Sequence, residues 1–364
     1  MNKKILGLFL FTLILSGCGL GPKEDLESSV KTEEVVVEAE EKVEEEEKEE
    51  EVVLDPKDQI DLSLLPNEAG KVMVLMYHNI GPEEKEWVRT PDNFKKDLLT
   101  LYEKGYRPIA LKDYVSGNID TQAGYTPIVI TFDDGNKNNF EYLEDGSINK
   151  DSAISILLDF NKEYPDFLPR VTFFLNGDIP FGQGGLEGKK LDFILENGMD
   201  VGNHTRSHAN FKDLAKEDLE KEIGGQANHL EGLISNKDYR VNTIALPFGS
   251  RPKDDSLSTY LREGSYDSKD YFNIAILNVG WNPGFSPYDG RFNFESIPRI
   301  RASEMKVDNV GMYNYLEYFD NNPGERFISD GFSEVITVPE EKLENIKTNP
   351  EKEIYVYKIE EVVN

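Results

Sequence analysis

Two short stretches of this sequence bring acids and imidazoles together in numbers suited to chemistry. In Thr131-Phe132-Asp133-Asp134-Gly135 two adjacent carboxylates point in different directions, so each can hold a different task, and Gly135 permits a sharp turn. Asp-Asp-Gly by itself also fits a simple polar turn. In His204-Thr205-Arg206-Ser207-His208 the imidazoles at i and i+4 share one face if the segment is a helical turn, which directs both at one metal ion. Adding Asp134 completes a set of one carboxylate and two imidazoles, leaving a position open for water. Only four histidines occur in the chain. The other two are His78, directly after Met76-Tyr77, and His229, in a predicted helix and expected on its surface.

These residues need elements to position them, and the chain alternates strand and helix patterns. Val72–Tyr77 is a continuous apolar run, consistent with a strand buried on both faces. Thr90 and Pro91 then cap a helix whose apolar residues Phe94, Leu98 and Leu101 keep helical spacing, and Gly105 closes it. Further strands are expected at 128–132, 171–175, 200–203, 243–246, 273–279 and 296–300, with helices at 152–163, 187–197 and 212–234. Strands alternating with helices argue for a parallel sheet. The expected fold class is therefore α/β, a distorted (β/α) barrel of seven or eight parallel strands. The apolar runs end in His78, Asp133-Asp134, Asn176, His204, Pro247-Phe248, and Arg299 with Arg301. Barrel enzymes collect their active sites at that end of their strands. No G-x-G-x-x-G follows a strand, so no dinucleotide site is expected. Residues 316–364 hold two more strand patterns, at 335–338 and 354–357, and are expected to form a short β-rich C-terminal extension.

Charge sets the address and excludes some partners. The 364 residues carry a net charge of −29, which argues against nucleic acid as a partner, because phosphate binding needs a basic footprint. The single cysteine rules out an intramolecular disulfide framework. Residues 24–58 hold 17 acids against four lysines, a composition that cannot bury enough apolar surface to fold alone. Lys3 and Lys4 precede an apolar run from Ile5 to Leu15, too short to span a bilayer and suited to a secretory signal. Leu15-Ser16-Gly17-Cys18 then resembles the lipobox of bacterial lipoproteins, with the chain's only cysteine at the lipidated position. That resemblance implies removal of residues 1–17 and lipidation of Cys18. Residues 18–65 would then be an acidic tether, whose segment 24–58 reaches roughly 30 Å as flexible coil, and 66–315 the functional domain. The expected location is the outer face of the cytoplasmic membrane, with membrane contact through the lipid alone and a monomeric chain.

The two chemical motifs together resemble the polysaccharide deacetylase family (carbohydrate esterase family 4, the NodB homology domain). Thr-Phe-Asp-Asp-Gly and His-Thr-x-x-His stand in that family's order, Val171–Gly177 matches the strand between them, and Ile244–Gly249 resembles its third motif. The resemblance spans roughly residues 70–302. It implies a distorted barrel that removes acetyl groups from sugars with one divalent metal, zinc first, with cobalt, nickel, iron or manganese as alternatives. By position it implies Asp133 as general base, Asp134, His204 and His208 as metal ligands, and the Phe248 backbone N–H as an oxyanion donor. The family's usual C-terminal Leu-x-His acid has no counterpart here. Met76-Tyr77-His78 resembles instead the subgroup acting on poly-N-acetylglucosamine, which takes the acid His from the first strand. A neighbouring carboxylate is expected to raise the pKa of His78, because the acid must be protonated when the amine leaves. Arg299 or Arg301 is the candidate partner of Asp133, and Trp281 and Phe248 are candidate walls for a sugar ring. The function expected is N-deacetylation of an extracellular glycan, peptidoglycan or a poly-N-acetylglucosamine-type polymer. The alternatives are an O-acetyl esterase and a catalytically silent wall-binding lipoprotein.

Overall fold

The computed structural model describes residues 55–305, 310–347 and 351–362. Cys18, the signal segment and most of the acidic tether lie outside the described residues. Eight parallel strands form one sheet: β1 (Met73–Tyr77), β2 (Tyr106–Pro108), β3 (Thr126–Phe132), β4 (Val171–Leu175), β5 (Asp200–Asn203), β6 (Thr243–Ala245), β7 (Ala275–Leu277) and β8 (Ile300–Arg301). Their order is β7-β6-β5-β4-β3-β1-β8. β2 pairs with the first residues of β3, Thr126–Ile128, while β4 pairs with Ile130–Phe132. The sheet curls, and a single parallel bridge between Leu277 and Ile297 brings its two edges together. The expected parallel barrel is therefore present, closed by a thin seam.

The strands form where the sequence runs apolar without alternation, because both faces are covered: every residue of β1, β3 and β4 is buried. Helix α1 (Pro91–Glu103) starts where Thr90 accepts from the Asn93 N–H at 3.2 Å, with Pro91 at its first position. α2 (Leu111–Ser116) follows β2. Helices α3 (Ala153–Glu163), α4 (Glu187–Glu196) and α5 (Lys216–Leu233) form where helices are expected and bury Leu157, Leu191 and Ile223 among others. One aromatic group, Tyr77, Phe94, Phe132 and Phe173, locks β1, β3, β4 and α1 together with ring centroids 5.0–5.6 Å apart. Truncating a ring as buried as Phe132 costs about 3–5 kcal/mol.

Several expectations need correction. The run 296–300 is a strand only at Ile300–Arg301, because Pro298 and the seam leave the preceding residues with one bridge. The division expected at 315/316 falls inside helix α6 (Met312–Asn321), whose Met312, Leu316 and Phe319 belong to the large core beside β1 and α1. Strands β9 (Val335–Pro339) and β10 (Glu353–Tyr357) pair with each other in parallel. Ile336 and Val338 pack with Val72, Val74 and Ala275 at the N-terminal end of the barrel, so this pair is part of the core and does not stand apart.

Candidate active site

The chemistry-bearing residues gather at the C-terminal ends of the strands: His78 after β1, Asp133 and Asp134 after β3, Asn176 after β4, His204 and His208 after β5, Phe248 after β6. Arg299 enters from the residue before β8. Backbone strain concentrates here, since Asp134, Thr205, His208 and Phe248 all hold positive φ, between 57° and 72°. Gly135 continues the left-handed turn, and a Cβ there would meet the Leu175 side chain at 2.8 Å.

Asp134, His204 and His208 place one ligand atom each within 4.8 Å of one another. Asp134 Oδ1 stands 3.5 Å from both His204 Nε2 and His208 Nε2. The His204 Nδ1 lies 2.8 Å from the Ala245 carbonyl, which can only accept, so Nδ1 carries the hydrogen and Nε2 turns its lone pair to the cluster. Asn176 donates to Asp134 Oδ1 at 3.1 Å and fixes that carboxylate. This donor set and its orienting partners fit a divalent cation. The segment 204–208 is not the helical turn expected from the i, i+4 spacing. It is a loop that folds back at Thr205 and His208, the Thr205 N–H being tied to the Asn203 side chain at 2.8 Å. Glu222 of α5 clamps it, accepting from the Ser207 N–H at 2.8 Å and hydroxyl at 2.7 Å.

Asp133 faces another partner. Both its oxygens accept from the buried Arg299 guanidinium, at 2.6 and 2.7 Å, while Arg299 Nε donates to the Asn278 carbonyl at 3.0 Å. Burial is the largest influence and works to raise the Asp133 pKa, but the charge and hydrogen bonds of Arg299, together with His204 and His78, outweigh it and hold the carboxylate below the usual range. Of the two candidate arginines the partner is thus Arg299. Arg301 pairs instead with Glu86 at 3.2 Å and lies over the Trp87 ring. His78 Nε2 and His204 Nε2 each stand 3.9 Å from Asp133 Oδ2. Burial lowers the His78 pKa, and Asp133 and Asp134 do not compensate, so the expected upward shift is reversed. No carboxylate is bonded to the buried Nδ1 of His78, which leaves desolvation to win.

Around this centre stand exposed apolar groups. Phe248 and Trp281 are 65 % and 64 % exposed, so neither is a core aromatic. Phe248 sits 4.7 Å from the His208 ring. The sequence reading missed Trp87, which packs on His78 with centroids 4.6 Å apart and shares a cleft with Trp281 and Arg301. The available signal was its rarity, as one of two tryptophans in the chain, in a polar loop just after the first strand. Lys190, also missed, is buried and donates to the Phe140 and Phe181 carbonyls at 2.8 and 3.1 Å, while the Phe181 N–H bonds the Gly135 carbonyl. It ties together the two loops that flank Asp134. His229 lies away from the centre, against the Asp178 carbonyl.

A curled parallel barrel with acids and imidazoles gathered at its C-terminal mouth has these groups where barrel enzymes carry their active sites. Residues 121–263 match the family model for polysaccharide deacetylase. A polysaccharide deacetylase from Bacillus cereus is similar in structure, with 22% identity, a TM-score of 0.50, and 69% of this chain and 68% of that one covered. A Streptococcus pyogenes deacetylase, PplD, in complex with acetate, has 20% identity and a TM-score of 0.49, covering 68% of this chain and 97% of that one. No curated protein matches the chain significantly.

Proposed function

We propose that the protein is a metal-dependent N-deacetylase of an extracellular N-acetylated glycan. The observation that carries this reading is the juxtaposition of a three-donor cation site, Asp134, His204 and His208, with a second, separately held carboxylate, Asp133, and a half-buried imidazole, His78. A divalent cation at such a site supplies a more acidic water and a polarised acetyl carbonyl. Asp133, fixed by Arg299, accepts the proton that the attacking water loses. Because Arg299 makes Asp133 a weak base, the proton passes on to His78, whose neutral ring is the better acceptor. His78 then delivers it to the departing amine nitrogen as the C–N bond breaks, so one proton leaves water and one arrives on the amine. The 3.9 Å separation in the free protein closes with substrate in place. The Phe248 N–H is the proposed donor to the oxyanion, and Trp87, Trp281 and Phe248 are the proposed sugar walls.

The test is acetate release from peptidoglycan, from poly-N-acetylglucosamine oligomers and from acetylated xylan, before and after chelation. Amide turnover abolished by chelator and restored by zinc, cobalt, nickel, iron or manganese is expected. Turnover of the acetylated xylan alone would make the protein an esterase. Localisation on the outer membrane face through a lipid on Cys18 is part of the same proposal. Cys18→Ser is expected to move the protein from the membrane fraction with its activity intact, and a variant still carrying lipid would overturn the anchor.

A further inference from the structure

Beside the barrel seam lies a cavity of about 700 Å³, within the range of small-ligand sites. Its inner edge is formed by Asn278, Ser296 and Ile297, the residues around the one bridge that closes the barrel, and its outer edge by Tyr315 and Tyr318 of α6. In a chain with 69 acidic residues, none of the described residues lining this cavity is acidic. Its two charged members, Lys71 and Arg291, are each held by an acid outside the lining, Glu325 at 3.4 Å and Asp289 at 2.6 Å. What remains is aromatic faces and side-chain amides. Tyr318 is 38 % exposed, and Phe285 carries the Arg291 guanidinium 4.4 Å from its ring centroid. Asn282 and Asn293 each bring a carbonyl and an amino group.

This cavity adjoins the candidate active site through one loop. Asn278 and Asn282 line the cavity, while Val279, Gly280 and Trp281 between them line the cleft that holds Trp87 and Arg301. The Tyr315 hydroxyl bonds the Trp281 carbonyl at 2.5 Å, and the Asn278 carbonyl holds Arg299. A polymer lying across the cleft reaches the cavity by crossing that loop.

We propose that the seam cavity is a second glycan-binding site, taking still-acetylated hexosamine units of the chain whose acetyl groups are removed at the barrel mouth. The proposal rests on the deacetylase reading above for its ligand. An N-acetylhexosamine presents an apolar ring face, which suits the tyrosine and phenylalanine rings, and hydroxyl and amide groups, which suit the asparagines. A deacetylated unit carries an ammonium, for which the lining holds no carboxylate to replace the water it would lose. The site therefore holds the enzyme on untreated stretches of polymer and lets treated ones go.

The test uses the full chain with Tyr318→Ala and Asn293→Asp. Asn293 accepts from the Glu295 N–H through its carbonyl oxygen, a bond that aspartate keeps, so this change adds a charge and gives up the amide N–H donors without disturbing that turn. Calorimetric titration with an N-acetylglucosamine pentamer is expected to show binding weakened about tenfold by Tyr318→Ala, the scale of one aromatic contact. The fully deacetylated pentamer should bind the wild type about tenfold more weakly than the acetylated one, and Asn293→Asp should narrow that gap. KM for the acetylated pentamer should rise in Tyr318→Ala with kcat unchanged, while turnover of an aryl acetate stays as in the wild type. Equal affinity of wild type and Tyr318→Ala for the acetylated pentamer would overturn the site. Binding that responds to Tyr318→Ala without any amide turnover would retain the site and sink the deacetylase reading, so the two fail separately.

Discussion

Replacing Asp134, His204 or His208 by alanine is expected to strip the bound cation and take amide turnover to background. Three protein donors leave no redundancy, and Asp134 Oδ1 is the point equidistant from both imidazoles, so removing any one opens the set. Asp133→Asn is expected to behave differently, keeping the cation while losing roughly 10²–10⁴-fold in turnover, the size of a general-base contribution. That variant carries a structural cost of its own. Arg299 is fully buried and Asp133 is its carboxylate partner, so an uncompensated guanidinium is left inside, worth about 3–5 kcal/mol. Metal content by elemental analysis therefore has to be taken on protein shown by thermal melting to be folded. If Asp133→Asn loses as much metal as Asp134→Ala, the two carboxylates do not divide the work as argued. Loading should also depend on pH in a fixed direction. Burial lowers the His204 pKa, but Asp133 and Asp134 outweigh it and raise it above the ordinary value. Protons then compete with the cation for Nε2, and affinity falls as the pH drops through the neutral range.

How much of this was readable beforehand follows from what each residue does locally. Asp133-Asp134-Gly135 and the two histidines announce themselves because ligand chemistry fixes residue type and order. Among the strands behind the site, 171–175 and 200–203 appear in the structure with the expected bounds, the first a largely apolar run and the second with Asp200 and Asn203 at its ends. The seam did not show, since β8 is two residues long and draws its pairing from β1, a partner more than 200 residues away. Trp87 and Lys190 were hidden for the same reason. A tryptophan in a polar loop and a lysine in an amphipathic helix become site residues only when tertiary packing sets one on His78 and buries the other between two loops. The choice between Arg299 and Arg301 was likewise open in sequence, because residues two apart on a strand share a face, and only the tertiary structure pairs the first with Asp133 and the second with Glu86.

His78→Ala is expected to lower turnover of an N-acetyl substrate by roughly 10²–10⁴-fold with metal content unchanged, and that of an aryl acetate by less than about tenfold. An amide nitrogen leaves only when protonated, whereas a phenolate leaves unaided, so the ratio of the two losses isolates proton donation from any structural role. The structure adds a pH signature. Burial holds the His78 imidazole below its ordinary pKa, so at neutral pH the resting ring is uncharged, and a cation bound nearby acts in the same direction. The proton it donates must then be one it gained from water through Asp133 in the same turnover. On that account kcat/KM rises with pH as His78 loses its proton and stays level through neutrality. A ring that had to be protonated beforehand would give the opposite slope, with kcat/KM falling across that range. Measuring the amide and aryl ester profiles on the wild type and on His78→Ala separates these cases. Equal losses on both substrates would make His78 a residue that seats Trp87 against the cleft, through the ring contact at 4.6 Å, and would leave the amine's proton to come from another group.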